Sequence, residues 1–202
     1  MGFMSVLSFA HKLISERLTL GDRAIDATVG TGADTLFLAR TTGARGEVLG
    51  FDIQAAALQL TEERLRAARE ENSSLAAVTL LARSHAEMLE AAPASWQGTV
   101  GAVMFNLGYL PSGDADKNII TEPDSSIAAL EASLQLLRPG GIITAVLYPG
   151  HAGGDIEAAA VEAWAAAVSP MVAQSVLYRQ LQRSDAPYVI ALEKKKKKKF
   201  PL

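Results

Sequence analysis

The chain of 202 residues is 49% hydrophobic and contains no cysteine, so it is long enough for one domain with a sizeable core and cannot form disulfides or thiolate metal sites. Its net charge of −3 combines six lysines at residues 194–199 with an acidic remainder, in which 13 Lys and Arg face 22 Asp and Glu. An acidic body is not typical of proteins coated in nucleic acid, and without a signal-peptide pattern or a long apolar run we expect a cytoplasmic protein.

Apolar residues alternate between helix and strand spacing along the whole chain. The predicted helices cover residues 4–18, 35–40, 55–70, 86–91, 125–137 and 155–167, and the predicted strands cover 23–27, 47–52, 76–81, 100–105, 142–147, 171–181 and 188–193. Because parallel neighbours need crossover connections, this alternation predicts a parallel sheet with helices on both faces. The last two strands have no helix between them, which predicts an antiparallel last strand at the end of the sheet.

These elements predict a three-layer, doubly wound α/β fold with seven mostly parallel strands and an antiparallel last strand, of the Rossmann-like kind. We expect one domain over residues 1–193. The lysine-rich tail at 194–202 has no periodicity with which to pack, so we expect it to be disordered, although its charges would also suit phosphate contacts.

A glycine-rich turn follows the first predicted strand, where residues 26–35 read DATVGTGADT and residues 27–32 form what we call the glycine loop. The second strand ends in Asp52. An acid about 20 residues beyond such a loop is placed to accept hydrogen bonds from ribose hydroxyls in a parallel nucleotide-binding sheet. The pattern therefore predicts an adenosine-containing cofactor, although a glycine turn alone also serves simply to join a strand to a helix.

The details of the loop distinguish between cofactors. Thr35 stands where a dinucleotide fingerprint has its third glycine, and Asp26 would repel a pyrophosphate. The same carboxylate would attract an ammonium group. S-adenosylmethionine carries an α-amino group and a sulfonium but no phosphate, so the loop favours this cofactor over NAD.

Ligands of such sheets bind at the carboxyl ends of the strands, so the residues that follow each strand are the candidates. Those predicted to bind the cofactor are Asp26, Thr28, Gly30, Gly32, Asp34, Thr35, Asp52, Ile53, Gln54, Ser84, His85, Asn106 and Leu107. We expect Ser84 and His85 to form hydrogen bonds with the adenine, and Ile53 to pack against the face of the adenine ring. Two alternatives stay open: Asp34 as a helix cap and His85 as a surface histidine.

Four segments support a family resemblance when taken in order: DATVGTGADT at 26–35, FDIQ at 51–54, FNLGYLP at 105–111 and YPGHAGG at 148–154. Together they resemble the YtqB-like group of S-adenosylmethionine-dependent methyltransferases, labelled rRNA methylases, over about residues 10–193. The resemblance implies the class I methyltransferase fold. Members of the group are similar to the tRNA enzyme that methylates the 5-aminomethyl group of wobble 2-thiouridine, which implies an RNA substrate at the tRNA anticodon.

The expected chemistry is an in-line methyl transfer that requires neither a metal nor a covalent intermediate. We assign Asn106, with the backbone of Leu107 and Gly108, to orient the nucleophile and the methyl donor. Tyr109 and Tyr148 would border a flipped base, as aromatic rings do for unstacked RNA bases. His151 would be the polar or proton-accepting residue nearby, because an amine nucleophile must be neutral.

Three other functions stay open from the sequence. The same cofactor would serve methylation of rRNA, of another base or of a small molecule. An NAD-dependent oxidoreductase would use the same sheet, and a non-catalytic module would bind S-adenosylmethionine without consuming it. The sequence leaves the oligomeric state undetermined.

Overall fold

The computed structural model describes residues 2–71, 74–108, 121–150 and 153–196. The helices are α1 Val6–Ser15, α2 Ala33–Thr42, α3 Ala55–Glu71, α4 Met88–Ala91, α5 Pro123–Leu136 and α6 Gly154–Ala167, with short 3-10 helices at His85–Glu87 and Ala94–Trp96. The strands are β1 Arg23–Asp26, β2 Glu47–Asp52, β3 Ala77–Ala82, β4 Val100–Asn106, β5 Leu137–Leu147, β6 Ala173–Tyr178 and β7 Tyr188–Lys194.

The strands form one seven-stranded sheet in the order β3-β2-β1-β4-β5-β7-β6. The pairs among β1 to β5 are parallel, and β7 runs antiparallel to both β5 and β6. The predicted mostly parallel α/β sheet with an antiparallel last strand is therefore confirmed. The antiparallel strand is not at the end of the sheet, however, because β7 lies between β5 and β6.

The burial of the two last strands explains this order. Residues 188–192 of β7 are all buried, whereas Val176 and Leu177 of β6 are about half exposed. A strand that is apolar on both faces belongs inside a helix-covered sheet. The more polar partner β6 therefore takes the edge.

Apolar side chains cover both faces of the sheet. On one face Phe51, Met88 and Phe105 belong to a cluster that extends to α5 and α6. On the other face Ile14 and Leu38 belong to a second cluster, built from α1, α2 and α3. The two clusters fill the interfaces between the sheet and the helices on each of its faces, which gives three layers. The carboxyl ends of the parallel strands remain free to form a site.

Some boundaries differ from the sequence prediction for local reasons. The predicted turn at 138–141 lies inside β5, where Gly140 has φ +77° and the pairing with β4 shifts register between Val100 and Ala102. A Pro-Gly-Gly sequence thus makes an irregularity within a strand instead of ending it. Helix α5 begins at Pro123, two residues earlier than predicted, because proline suits the first turn of a helix.

The lysine-rich tail begins inside the fold. Lys194 is the last residue of β7, and its Nζ donates to the carbonyls of Leu134 at 2.6 Å and Leu137 at 2.7 Å. The Nζ of Lys195 donates to Oε1 of Gln174 at 2.9 Å. The expected disorder is therefore wrong for these first lysines, and residues 197–202 lie outside the described part.

Within the described ranges no helix is long and apolar enough to cross a membrane.

Candidate functional site

A cavity of about 630 Å³ opens where the carboxyl ends of β1, β2, β4 and β5 meet, a size typical of ligand pockets. The predicted site residues that line it are Thr28, Gly30, Asp34, Asp52, Ile53, Gln54, Ser84, His85, Asn106 and Tyr148. The predicted site residues that are buried and do not line it are Asp26, Gly32, Thr35 and Leu107. Tyr109 and His151 lie outside the described residues.

Asp52 connects the end of β2 to the glycine loop. Its Oδ2 accepts a hydrogen bond from the backbone N–H of Gly30 at 2.9 Å, and its Oδ1 accepts one from the N–H of Gln54 at 2.9 Å. A carboxylate offers about four acceptor positions, so both oxygens retain capacity for further donors. The half-buried carboxylate is thus fixed in place and still able to bind a pair of hydroxyls.

The glycine loop requires glycine where it turns into α2. Gly32 has φ +74° and is the N-cap of the helix. A Cβ atom there would lie 2.5 Å from Oγ1 and 2.9 Å from Cα of Thr61 in α3. The close approach lets α2 and α3 pack while the loop lies against the cavity.

Asp26 lies beneath the glycine loop and is 1% exposed. Its Oδ2 accepts from the hydroxyl of Thr35 at 2.6 Å and its Oδ1 from the N–H of Thr28 at 3.1 Å. Burial raises its pKa to about 7, helped by the charges of Asp34 and then Asp52 and opposed by the two hydrogen bonds. Both oxygens face protein donors, so the geometry gives Asp26 a supporting position; a direct contact with a ligand ammonium group stays a prediction.

Asp34 lies in the first turn of α2, faces the cavity and is 8% exposed. The interpretation of Asp34 as a helix cap is wrong, because Gly32 is the N-cap and no side chain caps this helix. Oδ1 of Asp34 instead lies 2.6 Å from Nε2 of His11, which belongs to α1 and also lines the cavity.

His11 is a functional candidate that sequence reasoning missed. Its ring stacks on Phe37 with centroids 4.0 Å apart and the planes 4° from parallel. The residues predicted from the sequence all follow strands, whereas α1 precedes the first strand. The available signal was a histidine placed one turn after Leu7 in α1, but its partner Asp34 is 23 residues away.

His85 is buried at the base of the cavity, so the alternative of a surface histidine is wrong. It begins the 3-10 helix that Ser84 caps by accepting a hydrogen bond from Ala86 N. Nδ1 of His85 lies 3.1 Å from the carbonyl oxygen of Ala27, which can only accept, so Nδ1 carries the proton. Burial lowers the pKa of His85 and favours the neutral ring, whose Nε2 is buried and has no partner among the described residues. This nitrogen is an unsatisfied acceptor in a residue that lines the cavity.

Asn106 and Tyr148 come together from the ends of β4 and β5. The backbone N–H of Asn106 donates to the hydroxyl of Thr28 at 2.7 Å, which fixes the end of β4 against the glycine loop. Burial raises the pKa of Tyr148 above 10.0, as does the charge of Asp34, while a hydrogen bond with the Asn106 side chain opposes the shift. A neutral amide and a neutral phenol therefore share the wall near Asp34.

Leu107 is fully buried behind this pair. Its backbone N–H donates to the carbonyl of Val146 at 2.9 Å, so that N–H is not free to bind a ligand. The next residue, Gly108, lines the cavity. Leu107 therefore holds the end of β4 in the sheet, and its predicted contact with the cofactor stays a prediction.

Comparison with known proteins relates the chain to a family and to a tRNA-modifying enzyme of known name. The family model described as "Putative rRNA methylase" matches residues 48–194. The chain is also 35% identical over 191 residues to the chloroplastic tRNA (mnm5s2U34)-methyltransferase of Arabidopsis thaliana, which covers 92% of this chain and 68% of that enzyme.

Solved structures agree with this relationship. A putative rRNA methylase from Clostridium thermocellum is 35% identical, with a TM-score of 0.87, over 96% of this chain and 100% of its own. A putative methyltransferase from Streptococcus mutans, solved in complex with SAH, is 29% identical with a TM-score of 0.80, over 96% of this chain and 99% of its own.

Proposed function

The chain belongs to the "Putative rRNA methylase" family of S-adenosylmethionine-dependent methyltransferases, and we propose that it methylates the 5-aminomethyl group of wobble 2-thiouridine in tRNA. The membership confirms the predicted enzyme class and the predicted cofactor. The single observation that carries the finer proposal is the similarity, along nearly the whole chain, to a plant enzyme named for position U34 of tRNA.

The residues of the cavity fit S-adenosylmethionine. In the described part of the chain, Nε2 of His85 is a buried acceptor that has no partner, and His85 lines the cavity, which suits an exocyclic amine of adenine. Ile53 is 60% exposed in the cavity wall, where it would cover an adenine face, and Asp52 retains acceptor capacity for the ribose. The acids Asp34 and Asp52 face the cavity, as expected for a cationic ligand.

When bound, the cofactor supplies a methyl group on a positively charged sulfur, and neutral S-adenosylhomocysteine is left after transfer. The protein's task is then chiefly positioning, which supplies up to roughly 7–11 kcal/mol when the partners are ideally aligned. Asn106 is fixed to Thr28 through its backbone. Its side-chain oxygen would accept a hydrogen bond from the substrate amine and so direct the lone pair of the amine nitrogen toward the methyl group. Tyr148 would border the base beside it.

The substrate amine must lose its proton to become a nucleophile. Asn106 and Tyr148 are neutral, so they place no negative charge beside the amine that would stabilise its ammonium form, and Tyr148 keeps its proton because burial raises its pKa. Tyr109 and His151 are proposed to complete the substrate side, as a stacking ring and a proton acceptor.

Methylation of rRNA is a second candidate function, which the description of the family favours.

The decisive experiment compares substrates directly. Purified protein is incubated with labelled cofactor and either tRNA bearing 5-aminomethyl-2-thiouridine, the same tRNA without the aminomethyl group, or rRNA. We expect methylation of the first substrate alone, with 5-methylaminomethyl-2-thiouridine detected by nucleoside mass spectrometry. Methylation of rRNA alone would replace the proposal with the second candidate, and cofactor binding without turnover on any RNA would indicate a non-catalytic module.

A further inference from the structure

The contact between His11 and Asp34 is part of the cavity wall, and the proposed reaction gives His11 no role. It joins the middle of α1 to the first turn of α2, with Nε2 and Oδ1 2.6 Å apart. Both side chains line the cavity, and the side chain of Asp34 is 11% exposed. A carboxylate so little hydrated needs a fixed partner, and the imidazole supplies one.

The imidazole is held in one orientation by two contacts. Phe37 supports its face, and Asp34 binds one ring nitrogen. Within the described part of the chain, the other nitrogen, Nδ1, forms no hydrogen bond. With both nitrogens protonated, Nε2–H donates to Asp34 and Nδ1–H remains available to a ligand.

His11 lies away from the residues that suit the adenosine half of the cofactor. Asp52, Ile53 and His85 follow β2 and β3, whereas His11 belongs to α1, which contacts β5 and β7 across β1 and β4 from them. Asp34 is in the first turn of α2, directly after the glycine loop. A ligand whose ribose lies at Asp52 therefore has its opposite end free to reach the pair. In S-adenosylmethionine that end carries an ammonium group and a carboxylate.

We propose that His11 and Asp34 together bind the amino-acid end of S-adenosylmethionine, with Asp34 accepting from the ammonium group and the protonated ring of His11 donating Nδ1–H to the carboxylate. The protonated pair then meets the zwitterionic amino-acid end of the ligand, so each of these four charges gains an opposite neighbour. The inference concerns the cofactor alone and does not depend on which RNA is methylated.

The test measures binding of two ligands that differ in one group. S-adenosylmethionine and decarboxylated S-adenosylmethionine share the adenosine, the sulfonium and the amine, and only the former has the carboxylate. For His11→Ala, calorimetry should show affinity for S-adenosylmethionine reduced about 10- to 100-fold, with the decarboxylated ligand changed less than about threefold. Asp34→Asn should weaken both ligands, because both keep the amine.

Two further variants serve as controls for the His11→Ala result. Lys12→Ala removes the exposed neighbour of His11, which pairs with Glu16, and should leave both affinities unchanged. His11→Gln keeps a side chain of similar length whose amide can bond Asp34 or the ligand but not both, so it should lose part of the selectivity even if His11→Ala does not fold. Equal weakening of both ligands by His11 variants would mean a purely structural role and would overturn the proposal. So would unchanged binding with slower methyl transfer at low pH, which would make His11 a proton acceptor.

Discussion

The hydroxyl of Thr28 accepts a hydrogen bond from the backbone N–H of Asn106 at 2.7 Å. This bond joins the glycine loop after β1 to the end of β4, 78 residues away in the sequence. The hydrogen bond therefore links the proposed cofactor site to the residue whose side chain is proposed to orient the nucleophile. A shift of either one displaces the other, and alignment of the reacting groups is sensitive to such displacements.

Asn106→Ala should separate binding from turnover. The backbone N–H that bonds Thr28 is retained, so we expect the affinity for S-adenosylmethionine to change less than about threefold. Loss of the amide should lower kcat about 100-fold, because the amine is no longer oriented. Calorimetry and a single-turnover methyl transfer assay measure the two effects. Gln97→Ala, at an exposed position before β4, is the control, and unchanged kcat in Asn106→Ala would remove this residue from the mechanism.

Asp52→Ala should weaken cofactor binding. It removes the acceptor of the N–H groups of Gly30 and Gln54 as well as the proposed partner of the ribose. Hydrogen bonds to charged groups contribute about 1.5–3 kcal/mol each, so we expect at least a tenfold rise in Kd by calorimetry. Glu47→Ala lies at the exposed start of the same strand and should leave Kd unchanged. A Kd within twofold of wild type for Asp52→Ala would exclude the ribose contact.

Asp26→Asn should change how stability depends on pH. The pKa of Asp26 is about 7 in the folded protein against an ordinary value of 3.8, so the folded state binds its proton more tightly than the unfolded state does. The free energy of unfolding should therefore fall as pH rises from about 4 to about 7, with a slope of up to about 1.4 kcal/mol per pH unit from this group. Urea titrations between pH 5 and pH 8 measure it. The slope should be smaller in Asp26→Asn, and parallel pH profiles would contradict the prediction.

Gly32→Ala should destabilise the protein more than the same change at Gly98. Both residues have positive φ, +74° and +68°, but a Cβ at Gly32 would meet Thr61 whereas nothing lies within 4 Å at Gly98. The backbone cost is therefore shared, at about 1–2 kcal/mol, and the clash is specific to Gly32, at about 1–3 kcal/mol more. Urea denaturation of both variants isolates the steric part. Equal losses would show that α3 moves aside without cost.

Local patterns were enough to predict most of the fold and part of the site. Asp52 and Asn106 were found because each directly follows a buried strand, and the carboxyl ends of parallel strands meet at one edge. The glycine loop was found from its spacing. These signals lie within a few residues of each other, so the sequence alone contains them.

The features that the sequence did not reveal depend on distant contacts. His11 became a candidate only because α1 packs near α2 and brings the ring to Asp34. Asp26 was expected to face the ligand, but Thr35 and Thr28 bond both of its oxygens once the loop has folded over it. A short stretch of sequence does not show which carboxylate oxygens will accept hydrogen bonds from the protein after folding.

The insertion of β7 between β5 and β6 has a consequence for how the protein folds. Strand β5 pairs with β7 over six positions, yet β7 follows every other strand of the described sheet along the chain. During synthesis the edge of β5 that pairs with β7 therefore stays unpaired until β7, the last strand of the described sheet, has left the ribosome. Chaperone binding to nascent chains is expected at this stage, since exposed strand edges are the part of a folding intermediate most prone to aggregate.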